Sequence, residues 1–179
     1  MIVAASIAWF GHGIIRSRTE RPIVAKIETD GGKVYYNYRL EQGRIQLDKL
    51  PEGSPIARTL FGDDIFSTAI SIDLTDSKSL SYIGDLHKLT DLTSLTLAGN
   101  KITDDCVEDL LQINKLNYLS LNNTAISADG LAKLSESTTL QGLNYLGKGF
   151  NDSHLASLTS FTDIRFLQIT KTSVTDVGM

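Results

Sequence analysis

The chain has 179 residues, 41% of them apolar, and a net charge of −4. That length suits one domain and is marginal for two. The mildly acidic balance excludes a bulk attraction for nucleic acid, and a single cysteine excludes an internal disulfide framework or a thiolate metal cluster.

The first element is a hydrophobic N-terminal segment, residues 1–18. Met1 to Ile15 is almost wholly apolar, and Arg16, Arg18 and Arg21 follow at once. This pattern predicts a membrane anchor with a basic stop, making contact through residues 1–21, with a cytoplasmic chain as the alternative. At about 1.5 Å per residue the run reaches roughly 22 Å, short of a hydrocarbon core of ~30 Å. No basic stretch precedes it, which argues against a secretory signal.

Residues 19–68 read as a linker and capping region of α+β character. Pro22 predicts a helix start, with Ile23, Val24 and Ile27 on one face, and Asp30-Gly31-Gly32 predicts its stop. Val34, Tyr36, Tyr38 and Leu40 alternate, as in a strand. Glu41-Gln42-Gly43 then turns toward Arg44–Leu47, as in a hairpin. Ser54-Pro55 opens a second short helix through Leu60.

Residues 69–179 carry a register. Of 24 leucines, 20 fall between Leu74 and Leu167. Segments starting at Leu92, Leu116, Leu140 and Ile164 align without gaps at 24-residue spacing. Each has two apolar residues in alternation: Leu95/Leu97, Leu119/Leu121, Leu143/Tyr145 and Leu167/Ile169. Such alternation predicts a short strand with one buried face. Helix-capping residue types follow (Thr103-Asp104, Ser127, Asn151-Asp152, Thr175-Asp176), then apolar residues at helical spacing. A degenerate earlier unit starts near Ala69, and Tyr145 with Lys148 predicts a local irregularity. The last unit breaks off at Met179, which suggests a truncated array.

Leu116-Asn-Tyr-Leu119-Ser-Leu121-Asn-Asn-Thr124 resembles the signature of leucine-rich-repeat proteins. Thr172 to Gly178 is similar to bacterial repeats of that family and to the cysteine-containing subfamily of F-box proteins. The Gly-Gly-x-Val-Tyr-Tyr stretch resembles the segment before the repeats of membrane-anchored bacterial members. The resemblance implies an α/β fold: a right-handed leucine-rich-repeat solenoid, parallel strands on its concave face and helices on its convex face, behind an N-terminal α+β cap. It also implies a non-enzymatic protein–protein interaction scaffold. The alternatives are a substrate-recognition adaptor of a ubiquitin-ligase type complex and a regulatory segment of a longer enzyme.

Few residues carry chemistry. His12, His87 and His154 lack metal-ligand spacing, and His87 and His154 read as surface or loop residues. Cys106 reads as packing. Gly147-Lys148-Gly149 lacks phosphate-loop spacing, and Asp63-Asp64 and Asp104-Asp105 suit turns and caps. No catalytic residue, cofactor or metal is expected. What remains is the outward face of the strands, a candidate surface for a protein or peptide. Its candidate residues are Tyr118, Ser120, Asn122, Asn144, Leu146, Phe166 and Gln168, and Tyr118, Leu146 and Phe166 form its expected apolar anchor.

Overall fold

A computed structural model describes residues 2–37, 40–41, 44–45, 56, 59 and 67–176; for 2–12, 40–41 and 44–45 it describes the backbone alone. Helix α1 runs Ile2–Thr29. Strand β1 is Lys33–Tyr36, and β2 (Leu40–Glu41) and β3 (Arg44–Ile45) form a two-stranded antiparallel pair. Strand β4 is Ala69–Asp73, followed by a 3-10 segment at Ile83–Lys88 and strand β5, Ser94–Ala98. Helix α2 (Val107–Leu111), strand β6 (Tyr118–Asn122), helix α3 (Ala128–Leu134), strand β7 (Gly142–Leu146), helix α4 (Asp152–Ser157) and strand β8 (Phe166–Thr170) complete the order. The short helix expected from Ser54 to Leu60, and Asp63-Asp64, lie almost wholly outside the described residues.

The main sheet has six strands in the order β1-β4-β5-β6-β7-β8. β4 to β8 pair in parallel, and Leu95, Leu119, Leu143 and Leu167 share one register row. Their alternation decides the faces. Ile72, Leu95, Leu97, Leu119, Leu121, Leu143 and Tyr145 turn inward and are fully buried. Each such aliphatic side chain contributes on the order of 1.5–3 kcal/mol by leaving water. Leu86, Leu89, Leu92, Val107, Leu110, Leu131 and Leu134 close the core from the return segments.

This arrangement corrects the expected leucine-rich-repeat solenoid to an α/β fold with a mostly parallel sheet. β1 joins the same sheet antiparallel to β4, with Val34 opposite Ile72, so no separate cap precedes a parallel stack. The returns are not a uniform set of helices either. The first is 3-10 alone, and Tyr82 just before it is fully buried with its hydroxyl bonded to Ser77. The second and fourth mix 3-10 with short helix; only the third is purely α-helical. The expected irregularity at Tyr145 is absent: β7 keeps register with both neighbours, and the Tyr145 ring packs 5.0 Å from Phe150.

The membrane expectation is also corrected. No helix among the described residues is long and apolar enough to cross a membrane. Charge interrupts α1 from Arg16 onward, and its C-terminal half is committed to the protein. Ser17, Glu20, Ile23, Val24 and Ile27 are buried there. The Arg16 guanidinium donates to the Ser67 carbonyl at 2.9 Å. Pro22 does not start a helix but lies within α1; its missing N–H leaves one carbonyl of the preceding turn without its helical donor. Helix α1 ends as expected, with Gly31 at φ +96° and the Gly32 N–H on the Ile27 carbonyl at 2.9 Å.

Candidate functional site

Side chains that alternate away from the core form three rows across the sheet. The first is Tyr35, Ser71, Ser94, Tyr118, Gly142 and Phe166. The second is Lys33, Asp73, Thr96, Ser120, Asn144 and Gln168, and the third holds Ala98, Asn122, Leu146 and Thr170.

Tyr118 and Phe166 stand two strands apart with only Gly142 between them. Their ring centroids are 6.1 Å apart and tilted by 40°. The glycine makes this approach feasible: a Cβ at Gly142 would lie 2.6 Å from Cδ2 of Tyr118. The tyrosine ring therefore lies over the glycine and leans toward Phe166. Phe166 is 50% exposed on the edge strand, as its neighbour Leu167 is at 45%. Leu146, the expected third member, does not join them. It sits at the far end of β7, in the row of Asn122 and Thr170.

The polar candidates form a chain beside the rings. Asn144 donates through Nδ2 to Ser120 Oγ at 3.0 Å, and Ser120 Oγ donates to Asn122 Oδ1 at 3.3 Å. Ser120 is buried by these neighbours. Asn144 Oδ1 is screened from solvent and accepts no hydrogen bond among the described residues. An unmet buried acceptor costs about 1–3 kcal/mol. Gln168, on the edge strand, is exposed.

The remaining candidates for chemistry are structural. The Cys106 thiol is pushed up to about 11, chiefly by burial, and donates to the Thr103 carbonyl at 2.9 Å. Reactive thiols have the opposite shift. His154 is not a surface residue, which corrects the loop reading. It is buried, with Nε2 3.0 Å from the Ile126 carbonyl and Nδ1 2.8 Å from Asn151 Oδ1. Its ring packs edge-on to Tyr145 and 5.4 Å from Phe150. His87 Nδ1 lies 2.7 Å from the Gly84 carbonyl. Asp104 and Asp105 act as turn and cap acceptors, for Ser127 and Thr103 respectively. No group of three or more His, Cys, Asp or Glu among the described residues is placed to hold a metal ion. Gly147-Lys148-Gly149 is a turn, with Gly147 at φ +142° against the Asn123 backbone.

A cavity of about 130 Å³ lies between α1 and β1, lined in part by Ser17, Glu20, Tyr36 and Ser67. Glu20 there is buried and accepts from the Thr90 N–H and hydroxyl, each at 3.4 Å. Burial is the largest influence on its carboxyl and raises it above the usual range; Arg16 acts against that.

Sequence reasoning missed two features of the outward face. Alternation places Gly142 there, but nothing in the pattern marks it as the seat of the aromatic pair. Tyr35 enters the face only because β1 pairs with β4, and no local pattern near residue 35 announces a partner strand so far along the chain. No family model matches the chain, and no curated protein matches it.

Proposed function

We propose that the chain is a non-enzymatic binding module that takes a protein or peptide segment on the outward face of its sheet. The observation that carries this reading is the Tyr118–Phe166 pair, held over Gly142 and left half open to solvent. An aromatic pair that is packed on one side and exposed on the other is a pre-ordered anchor. It presents apolar area with little side-chain entropy left to lose. The buried Ser120 hydroxyl beside it ties down the Asn122 and Asn144 amides and fixes their positions on the face. Such groups suit hydrogen bonding to a partner's backbone. The described face carries little charge, so affinity would come from shape and ring contact.

A displayed library of extended peptides, selected against the full chain, tests this. Selected binders should lose at least about tenfold in affinity, ~1.4 kcal/mol, against a Tyr118→Ala/Phe166→Ala double variant with unchanged circular dichroism. Binders that retain full affinity for that variant would sink the reading.

A further inference from the structure

The opposite half of the same face holds a second feature. Tyr35 on β1 and Tyr118 on β6 bracket Ser71 and Ser94 in one register row. Three strand spacings separate the tyrosines, about 14 Å, and the two serines between them are short. The floor of the row is therefore lower than its aromatic ends. Asp73 and Thr96 border this slot in the next row. Asp73 Oδ1 accepts from the Thr75 N–H at 2.9 Å, and among the described residues its other oxygen takes no hydrogen bond. Lys33 is paired in register with Asp73 and lies within its field, but its ammonium is bonded to Asp76 at 2.9 Å. Lys33, Asp73 and Asp76 together leave one negative charge in excess.

We infer that the slot between Tyr35 and Tyr118 accepts an arginine side chain of the bound segment, its guanidinium against the Tyr35 ring and bonded to Asp73. The charge excess selects a cation. The ring beside it favours a flat, delocalised cation over an ammonium, because guanidinium stacks on an aromatic face while still donating in its plane. A low floor of serines admits the aliphatic stem. This rests on the reading of the face as a peptide-binding surface, and narrows what that peptide must carry.

The test uses the full chain and three blocked pentapeptides, Ser-Thr-Xaa-Thr-Ser with Xaa arginine, lysine or citrulline, followed by NMR titration. Citrulline keeps the shape and removes the charge. The arginine peptide should shift Tyr35 ring and Asp73 signals and bind about tenfold more tightly than the citrulline peptide, with lysine between. Asp73→Asn should cancel the arginine preference while leaving the fold intact by circular dichroism. Tyr35→Leu should narrow the gap between the arginine and lysine peptides. Absence of arginine-peptide binding, equal binding of arginine and citrulline peptides, or an arginine preference that survives Asp73→Asn would each overturn the assignment. None of those results touches the Tyr118/Phe166 test: a library binder lost with those rings and indifferent to Asp73→Asn would leave the binding face standing and remove only the arginine.

Discussion

The Asp104 carboxylate holds Ser127 twice, at 2.8 Å to its N–H and 2.6 Å to its hydroxyl. Asp152 repeats the contact on Thr175, at 2.8 Å and 2.6 Å. In each case the start of one return segment is bonded to the start of the next. Ser127 is itself the N-cap of α3 and accepts from the Gly130 N–H. A carboxylate at that position also favours the positive end of the helix. The Thr175 hydroxyl and then its N–H hold the Asp152 carboxyl below the usual range. A depressed folded-state carboxyl contributes stability above its unfolded value, near pH 4, and loses it as pH falls through the folded value.

Asp152→Asn should therefore flatten the acid limb of stability below about pH 4. Asp104→Ala should cost about 1 kcal/mol at neutral pH by removing the acceptor that holds Ser127, the N-cap of α3. Urea titrations of both variants at pH 3 to 7 check this; an acid limb unchanged by Asp152→Asn refutes the pairing.

Glu20 behaves in the opposite sense. Its carboxyl is raised, chiefly by burial between α1 and the segment before β5. A folded-state value above the unfolded one stabilises the protein fully below about pH 4.5 and progressively less as pH rises through the folded value. Glu20→Gln should keep an acceptor for the Thr90 N–H and hydroxyl while removing the buried charge. The variant should match the native chain near pH 4 and exceed it at pH 7 in urea unfolding. A variant weaker than the native chain at pH 7 would show that the Arg16 attraction outweighs the burial cost.

These contacts show what the chain's pattern conveys. Alternation of Leu95 with Leu97, Leu119 with Leu121 and Leu143 with Tyr145 places β5, β6 and β7, because period-two burial is written locally. It does not convey partners far along the chain. β1 meets β4 across more than thirty residues, and that pairing, not a hydrophobic period, makes the sheet mixed. The returns escaped for another reason. Helical spacing of Val107, Leu110 and Ile113 marks which residues face the core, but five-residue α2 and the 3-10 segment Ile83–Lys88 satisfy such burial with other geometries. Tyr118, Gly142 and Phe166 are legible as outward positions, whereas the ring contact over the glycine is not written in the alternation.

His154 shows how far a single side chain can depart from its surface reading. One ring nitrogen bonds the Ile126 carbonyl in the preceding segment, the other meets the Asn151 cap, and the ring packs on Phe150. His154→Ala should cost about 2–4 kcal/mol, combining a cavity beside Phe150 with an unmet carbonyl at Ile126. His154→Phe should restore the volume but not the bonds, recovering only part of the loss. Denaturant midpoints order the three proteins; an alanine variant within about 0.5 kcal/mol of the native chain would contradict the buried assignment.

Gly142→Ala isolates the aromatic pair from general stability. The added Cβ occupies the space of the Tyr118 ring edge, 2.6 Å from Cδ2, and that ring is the movable neighbour. Tyr118 should swing off the sheet and away from Phe166, at a cost of about 1–3 kcal/mol at most, since the strand itself accepts alanine. Ring-to-ring nuclear Overhauser contacts between Tyr118 and Phe166 should vanish while the fold persists. Peptides selected on the native face should weaken about as much as they do with Tyr118→Ala. If the contacts vanish and binding does not change, the rings act separately, and the pre-ordered anchor on which the binding reading depends is lost.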